Sequence, residues 1–181
     1  TDLGLDYFNE IERHITDLTH EDNTLSSGWS WLDKKLDGGF LEHGRAIYIF
    51  AGETNIGKSI FLGNIARNIA DQGKTVLLIS LEMSELVYAK RITTNLTQIP
   101  IRDLRNRTDD IEDAVRQYRQ RKSKSRVIVK EFPPSTVTCR HIKGYIKKLT
   151  DRGVNIDAIV VDYVNLLRSD TGTNSYERIK Y

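Results

Sequence analysis

The chain contains a single cysteine, Cys139, and three prolines in 181 residues. One thiol excludes a disulfide framework and fits a reducing compartment such as the cytoplasm. Long hydrophobic runs are also missing. The longest, Val76–Ile79 and Ala158–Val161, have the length of strands. A bilayer-spanning helix needs roughly 20 apolar residues, so a transmembrane helix is excluded. No sign of charge dominates: 27 Lys and Arg face 25 Asp and Glu, leaving a net charge of +2. That balance neither demands nor excludes nucleic acid, because local patches are hidden in the sum. Internal repeats and low-complexity tracts are absent. The histidines are scattered, and His141 near Cys139 has no partner pair, so both read as helix positions rather than metal ligands.

What is present fits one globular domain. Hydrophobic residues make up 39% of the chain, enough to build a core. The chain starts at Thr1 without a methionine or a signal-peptide pattern. It ends at Ser175-Tyr-Glu-Arg-Ile-Lys-Tyr181, which reads as the start of a helix without a stop signal. The expectation is a fragment lacking sequence at both ends.

Over residues 2–20, Leu5, Phe8, Ile11, Ile15 and Leu18 recur three to four apart, which predicts one apolar helical stripe. Residues 24–28 read as a polar break, followed by a short helix over Trp31, Leu32 and Leu36 that ends at Gly38-Gly39. Residues 1–24 are therefore expected to be a helix and connector, with the main domain over 25–181. Strand-type runs follow at Ala46–Ala51, Thr75–Leu81, Arg126–Glu131 and Asp157–Val164. Helical patterns alternate with them at 58–71, 84–98, 109–123 and 137–152, the first with Phe61, Leu62, Ile65, Ala66 and Ile69 on one face. The alternation predicts an α/β fold with a parallel sheet flanked by helices.

Gly52-Glu-Thr-Asn-Ile-Gly-Lys-Ser59 matches the pattern G-x-x-x-x-G-K-[ST] in full, between a predicted strand and a predicted helix. The chemistry accounts for each residue type. A triphosphate packs several negative charges onto closely spaced oxygens, and successive backbone N–H groups cradle them. Gly52 and Gly57 allow the dihedrals and the close approach that this needs. The helix N-terminus adds partial positive charge. Lys58 is placed to reach the β- and γ-phosphates, and Ser59 offers a hydroxyl to Mg²⁺. Glu53, Thr54, Asn55 and Ile56 complete the loop, and Ile60 follows it. The predicted cofactors are thus ATP and Mg²⁺.

Such chemistry also needs carboxylates. Asp162 ends the apolar run from Asp157, at the sheet edge where ligands bind in open α/β folds. A carboxylate there reaches a Mg²⁺ shell; the alternative is a turn or capping aspartate. Glu82 follows the run Leu77–Leu81 and would polarise a water if its strand lies near the phosphate strand. Its alternative is an ordinary charged residue at the start of the next helix.

Four blocks together carry a family resemblance. They are Ser27-Gly-Trp-Ser-Trp-Leu-Asp33 with Gly38-Gly39, the phosphate loop, Ser80-Leu-Glu-Met83, and Val160-Val-Asp-Tyr-Val-Asn-Leu166. In this order they resemble the helicase domain of DnaB-type hexameric replicative helicases of bacteria or phage, which have the RecA-like P-loop NTPase fold. The resemblance implies an ATPase and DNA helicase that couples hydrolysis to translocation on single-stranded DNA and duplex unwinding. It implies that Glu82 is the catalytic glutamate, that Lys58 and Ser59 hold phosphate and metal, and that Asp162 is the metal-directed acid. It implies a homo-hexamer in which the N-terminal helix docks on the neighbouring subunit, with a primase and a helicase loader as further partners. This chain departs from the family at Asn165, where glutamine is usual. In such folds the strand after the acidic one inserts into the middle of the sheet. The chain is therefore expected to be truncated at its C-terminus, to lack that strand and the arginine finger, and to hydrolyse ATP weakly alone.

Two related readings share part of this pattern: another RecA-like ATPase of the recombinase or clock type, and a nucleotide-dependent assembly module. The run Arg116, Arg119, Arg121, Lys122, Lys124, Arg126 and Lys130 reads first as a solvated helix face and second as a phosphate-backbone contact. The loop Arg168–Asn174 is a further candidate for DNA contact.

Overall fold

The computed structural model describes residues 6–18, 22–42 and 46–168. The predicted helix start near Ser175 and the loop beyond Arg168 lie outside these residues.

The chain begins with α1 (Tyr7–Leu18), which leaves Phe8 90% and Ile15 52% exposed. Next come β1 (Thr24–Leu25), α2 (Ser30–Lys35) and β2 (Phe40–Leu41). The two strands form a small antiparallel hairpin pairing Leu25 with Phe40. This corrects the reading of 24–28 as a mere polar break: Leu25 and Ser27 are buried. Asp33 organises the turn, accepting hydrogen bonds from Ser26 Oγ (2.5 Å) and from the Ser27 N–H (2.7 Å).

The main layer consists of α3 (Lys58–Ala70), β3 (Thr75–Ser80), α4 (Glu85–Thr97), α5 (Thr108–Arg121), β4 (Arg126–Glu131), α6 (Cys139–Asp151) and β5 (Ala158–Asp162), with a 3₁₀ segment at Ile101–Asn106. β3 is the central strand of a three-stranded parallel sheet in the order β4-β3-β5. The period of two along β3 sends Val76 and Leu78 to one face and Leu77 and Ile79 to the other. The first pair packs with Ile65, Ala66 and Ile69 of α3, Tyr88 of α4 and Val160 of β5. The second pair packs with Ile142 of α6, flanked by Tyr145, Ile146 and Leu149. Both faces of β3 are thus covered, as continuous apolar strands of parallel sheets require.

One expected strand is not formed. Residues 46–51 run from α2–β2 toward the phosphate loop without joining a ladder. Their alternation is nevertheless strand-like. Tyr48 and Phe50 turn inward onto an aromatic cluster, with Phe40–Tyr48 and Phe50–Phe61 ring centroids each 4.9 Å apart. Ile47 and Ile49 stay 90% and 85% exposed. The physical reason is the partner: β5 forms the edge of the sheet, and no described strand lies between it and this segment. Ile159 on β5 is accordingly 48% exposed. The side chains carry the pattern of a strand, but its backbone has no ladder to enter.

Candidate nucleotide-binding site

The phosphate pattern closes onto the first turn of α3. Gly57 is its N-cap with φ +92°, and Asn55 has φ +64°. These left-handed residues bend the loop so that backbone N–H groups gather at a helix N-terminus. A side chain at Gly57 would meet no atom within 4 Å, so glycine is needed there for its dihedral and not for space. Gly57→Ala is expected to destabilise the fold by about 1–2 kcal/mol, the usual cost of a left-handed L-residue. Urea unfolding would check this. At Gly52 an added Cβ would lie 2.2 Å from Ile56 Cδ1, the end of an exposed side chain that can turn away.

Lys58 folds its ammonium over the loop. Its Nζ donates to the Gly52 carbonyl at 2.8 Å and the Glu53 carbonyl at 2.5 Å. Residues Gly52–Ile56 are exposed, as is Ile60, so the loop is open to a ligand. Behind it, Phe61 of α3 stacks on Trp29 at 4.9 Å and 11°. Trp29 belongs to the block after Ser27, which therefore braces the helix that carries Lys58 and Ser59. Gly28 and Asn68 tighten this brace: Asn68 Nδ2 donates to the Ser27 carbonyl at 2.9 Å.

Asp162 ends β5 and is 1% exposed. Because it lies two residues after Val160, it faces the same side as α3 and α4. There the Tyr88 hydroxyl donates to Asp162 Oδ2 at 2.5 Å, with Ser59 beside the phenol. Burial, reinforced by the Asp162 carboxylate, pushes the Tyr88 phenol above its ordinary pKa. The phenol therefore remains a hydrogen-bond donor at neutral pH. Ser59, Tyr88 and Asp162 thus meet where α3, α4 and β5 come together. Sequence reasoning misses Tyr88. The available signal is weak: a tyrosine on a buried helical face needs a partner for its hydroxyl, and only the fold reveals which.

Glu82 lies in the bend after β3, exposed to solvent. Ser80 registers opposite Asp162, and the Leu81 N–H donates to the Asp162 carbonyl at 2.8 Å. The bend is held further by Met83 N–H donating to Ser80 Oγ at 2.9 Å. Thus Glu82 and Asp162 emerge at the same end of adjacent parallel strands. Serine hydroxyl and carboxylate are hard oxygen donors, the kind that suit Mg²⁺ together with phosphate oxygens. Among the described residues no group of three His, Cys, Asp or Glu side chains is placed to hold a metal by itself. His141 instead serves a cap, its Nδ1 accepting from the Thr138 N–H at 3.1 Å.

Residues 24–180 match the family model of the DnaB-like helicase C-terminal domain. The chain belongs to that family. It is 28% identical to a DnaB-like replicative helicase of Enterobacteria phage T4, over 98% of this chain and 39% of the relative. It is 32% identical to a probable replicative DNA helicase of Trieres chinensis, over 81% of this chain and 32% of the relative. The chain thus spans between about a third and two fifths of these relatives' lengths. Two solved structures share the fold at 19% identity. One is a DnaB-like replicative helicase described with its interactions with primase, at a TM-score of 0.71 over 99% of this chain and 43% of that one. The other is described as an ATPase domain, at a TM-score of 0.73 over 99% of this chain and 64% of that one. With them, the parallel sheet flanked by helices is a RecA-like α/β fold. Two residues of the basic run are engaged locally: Lys122 Nζ donates to the Asp71 carbonyl at 2.8 Å, and Lys130 pairs with Glu85 at 2.9 Å. Among the described residues no helix is long and apolar enough to cross a membrane.

Proposed function

We propose that this chain is the nucleotide-binding part of an ATP-dependent replicative DNA helicase, in which residues 25–181 form the ATPase domain and residues 1–24 a linker helix and connector. The observation that carries the reading is the meeting of Ser59, Tyr88 and Asp162, which sets the end of the phosphate loop beside the acidic strand at one sheet edge. ATP lies in the bend Gly52–Ser59, contacted by Glu53, Thr54, Asn55, Ile56, Gly57 and, at the helix start, Ile60. Lys58 leaves the Gly52 and Glu53 carbonyls for the β- and γ-phosphate oxygens. Ser59 and Asp162 would hold Mg²⁺, which when bound would supply positive charge to the phosphate oxygens. Glu82 accepts a proton from the attacking water.

The T4 and Trieres relatives, replicative helicases by description, and the helicase family model support the job of translocating on single-stranded DNA and unwinding duplex. The exposed apolar positions of α1, Phe8 and Ile15, suit a helix that docks on a neighbouring copy in a hexamer. A primase and a helicase loader are proposed as partners, and the bacterial or phage-infected cytoplasm as the location.

Crystals of the protein soaked with a non-hydrolysable ATP mimic and Mg²⁺ test the reading. Phosphate density is expected in the bend from Gly52, with the cation between Ser59 and Asp162; density elsewhere overturns it. A polypeptide of residues 1–181 alone is expected to turn ATP over slowly. Its phosphate loop hangs from a segment, 46–51, that no ladder anchors. Full DNA-stimulated turnover in a steady-state assay would contradict this.

A further inference from the structure

We propose that Tyr88 is a positioning residue for the metal half of the site: its hydroxyl donates to Asp162 Oδ2 and so leaves the second carboxylate oxygen, Oδ1, for a cation shared with Ser59. The inference rests on the reading of Ser59 and Asp162 as metal ligands.

The geometry carries it. Tyr88 is fully buried in the core cluster between α3, β3 and β5, yet its hydroxyl is not needed for packing. A phenylalanine would fill the same space. The hydroxyl is tolerated because Asp162 Oδ2 accepts from it at 2.5 Å; a buried hydroxyl without an acceptor would be penalised. Lys58, the nearest candidate counter-charge in sequence to Ser59, is engaged with the loop carbonyls instead.

The chemistry gives the arrangement a use. A carboxylate that ligates through one oxygen is held best when the other is fixed by a donor. Tyr88 supplies that donor from a rigid, dry helix face, where a water would be mobile. The phenol therefore sets the orientation of the acidic ligand without being a ligand itself.

The test is Tyr88→Phe in the intact protein, with Asp162→Asn as the benchmark. A fluorescent non-hydrolysable ATP analogue is titrated with Mg²⁺, and its affinity is measured separately in EDTA. Tyr88→Phe is expected to raise the Mg²⁺ concentration for half-maximal binding about 10-fold, while affinity in EDTA holds; a role in packing alone would not move the two apart. If Asp162→Asn raises the Mg²⁺ requirement and Tyr88→Phe does not, the metal site stands and the role of Tyr88 is overturned. If Asp162→Asn leaves it unchanged, the metal reading itself fails. Should Tyr88→Phe not fold, Tyr88→Met takes its place: a flexible apolar side chain that adapts to the space and lacks the hydroxyl, so the same rise in Mg²⁺ requirement is expected, and an unchanged requirement overturns the proposal.

Discussion

Replacing Glu82 with glutamine lowers ATP turnover about 10²–10⁴-fold, the range that a lost general base commands, while ATP binding persists. The substitution keeps size and hydrogen-bonding reach and removes only basicity. The structure explains why binding and stability are spared. Glu82 is exposed and enters no hydrogen bond or ion pair among the described residues. The bend that carries it is fixed by other groups, the Leu81 and Met83 amides. Surface changes that leave such features intact cost no more than about 0.5 kcal/mol. The competing view makes Glu82 an ordinary acid ahead of α4. That helix already has its cap, since the Ser84 hydroxyl accepts from the Val87 N–H at 3.3 Å, so little stability depends on a second acid. The measurement is a pair: steady-state phosphate release and equilibrium binding of an ATP analogue by the intact protein. Turnover unchanged in Glu82→Gln would remove the catalytic role. It would favour a module in which bound nucleotide only holds subunits together.

The features legible in the sequence are those whose cause is local. The phosphate loop is contiguous, and its glycines, lysine and serine each answer to one demand of a triphosphate, so the pattern can be read without a fold. The stripe on α3 is equally local: Ile65, Ala66 and Ile69 repeat at helical spacing and are all buried. β3 is legible because a strand covered on both faces is apolar at every position from Val76 to Ile79. Where the cause is distant, the sequence is silent. β1 and β2 are two residues each, too short for any alternation to show. Their pairing depends on Gly39, where an added Cβ would lie 2.4 Å from the Leu25 carbonyl oxygen. The segment 46–51 shows the reverse failure. Its alternation is true to a strand, with Tyr48 and Phe50 inward, but a ladder belongs to two strands and only one can be read from it. The contact of Tyr88 with Asp162 joins residues 74 apart in the chain. Neither residue type announces the other, and only the order β4-β3-β5 with α4 packed over it brings them together.

Lys58→Ala separates binding from folding more sharply than any other single change. In the bound state we propose, the ammonium donates to two phosphate oxygens. Charge-assisted hydrogen bonds contribute about 1.5–3 kcal/mol each, and about 1.4 kcal/mol is a factor of ten in affinity. Losing both weakens ATP binding about 10²–10⁴-fold. The effect on the free protein is different in kind. Lys58 is the first residue of α3, where the helix dipole opposes a cation. Removing it relieves roughly 0.3–1 kcal/mol of that opposition and loses two hydrogen bonds to carbonyls of an exposed loop, Gly52 and Glu53. Because those bonds are solvent-exposed, they contribute only about 0–1 kcal/mol net, and the two effects nearly cancel. The unliganded protein should therefore melt where the parent does, while stabilisation by ligand disappears. A ligand at a thousand times its dissociation constant stabilises by about 4 kcal/mol, and a thousandfold weaker one by under about 0.5 kcal/mol. Thermal melts with and without ATP·Mg²⁺ read this directly. Lys58→Arg should restore the charge without restoring affinity, because a planar fork does not replace a compact ammonium in so tight a bend. A melt shift by ATP that survives in Lys58→Ala would mean that the nucleotide sits somewhere other than the loop at Gly52–Ser59.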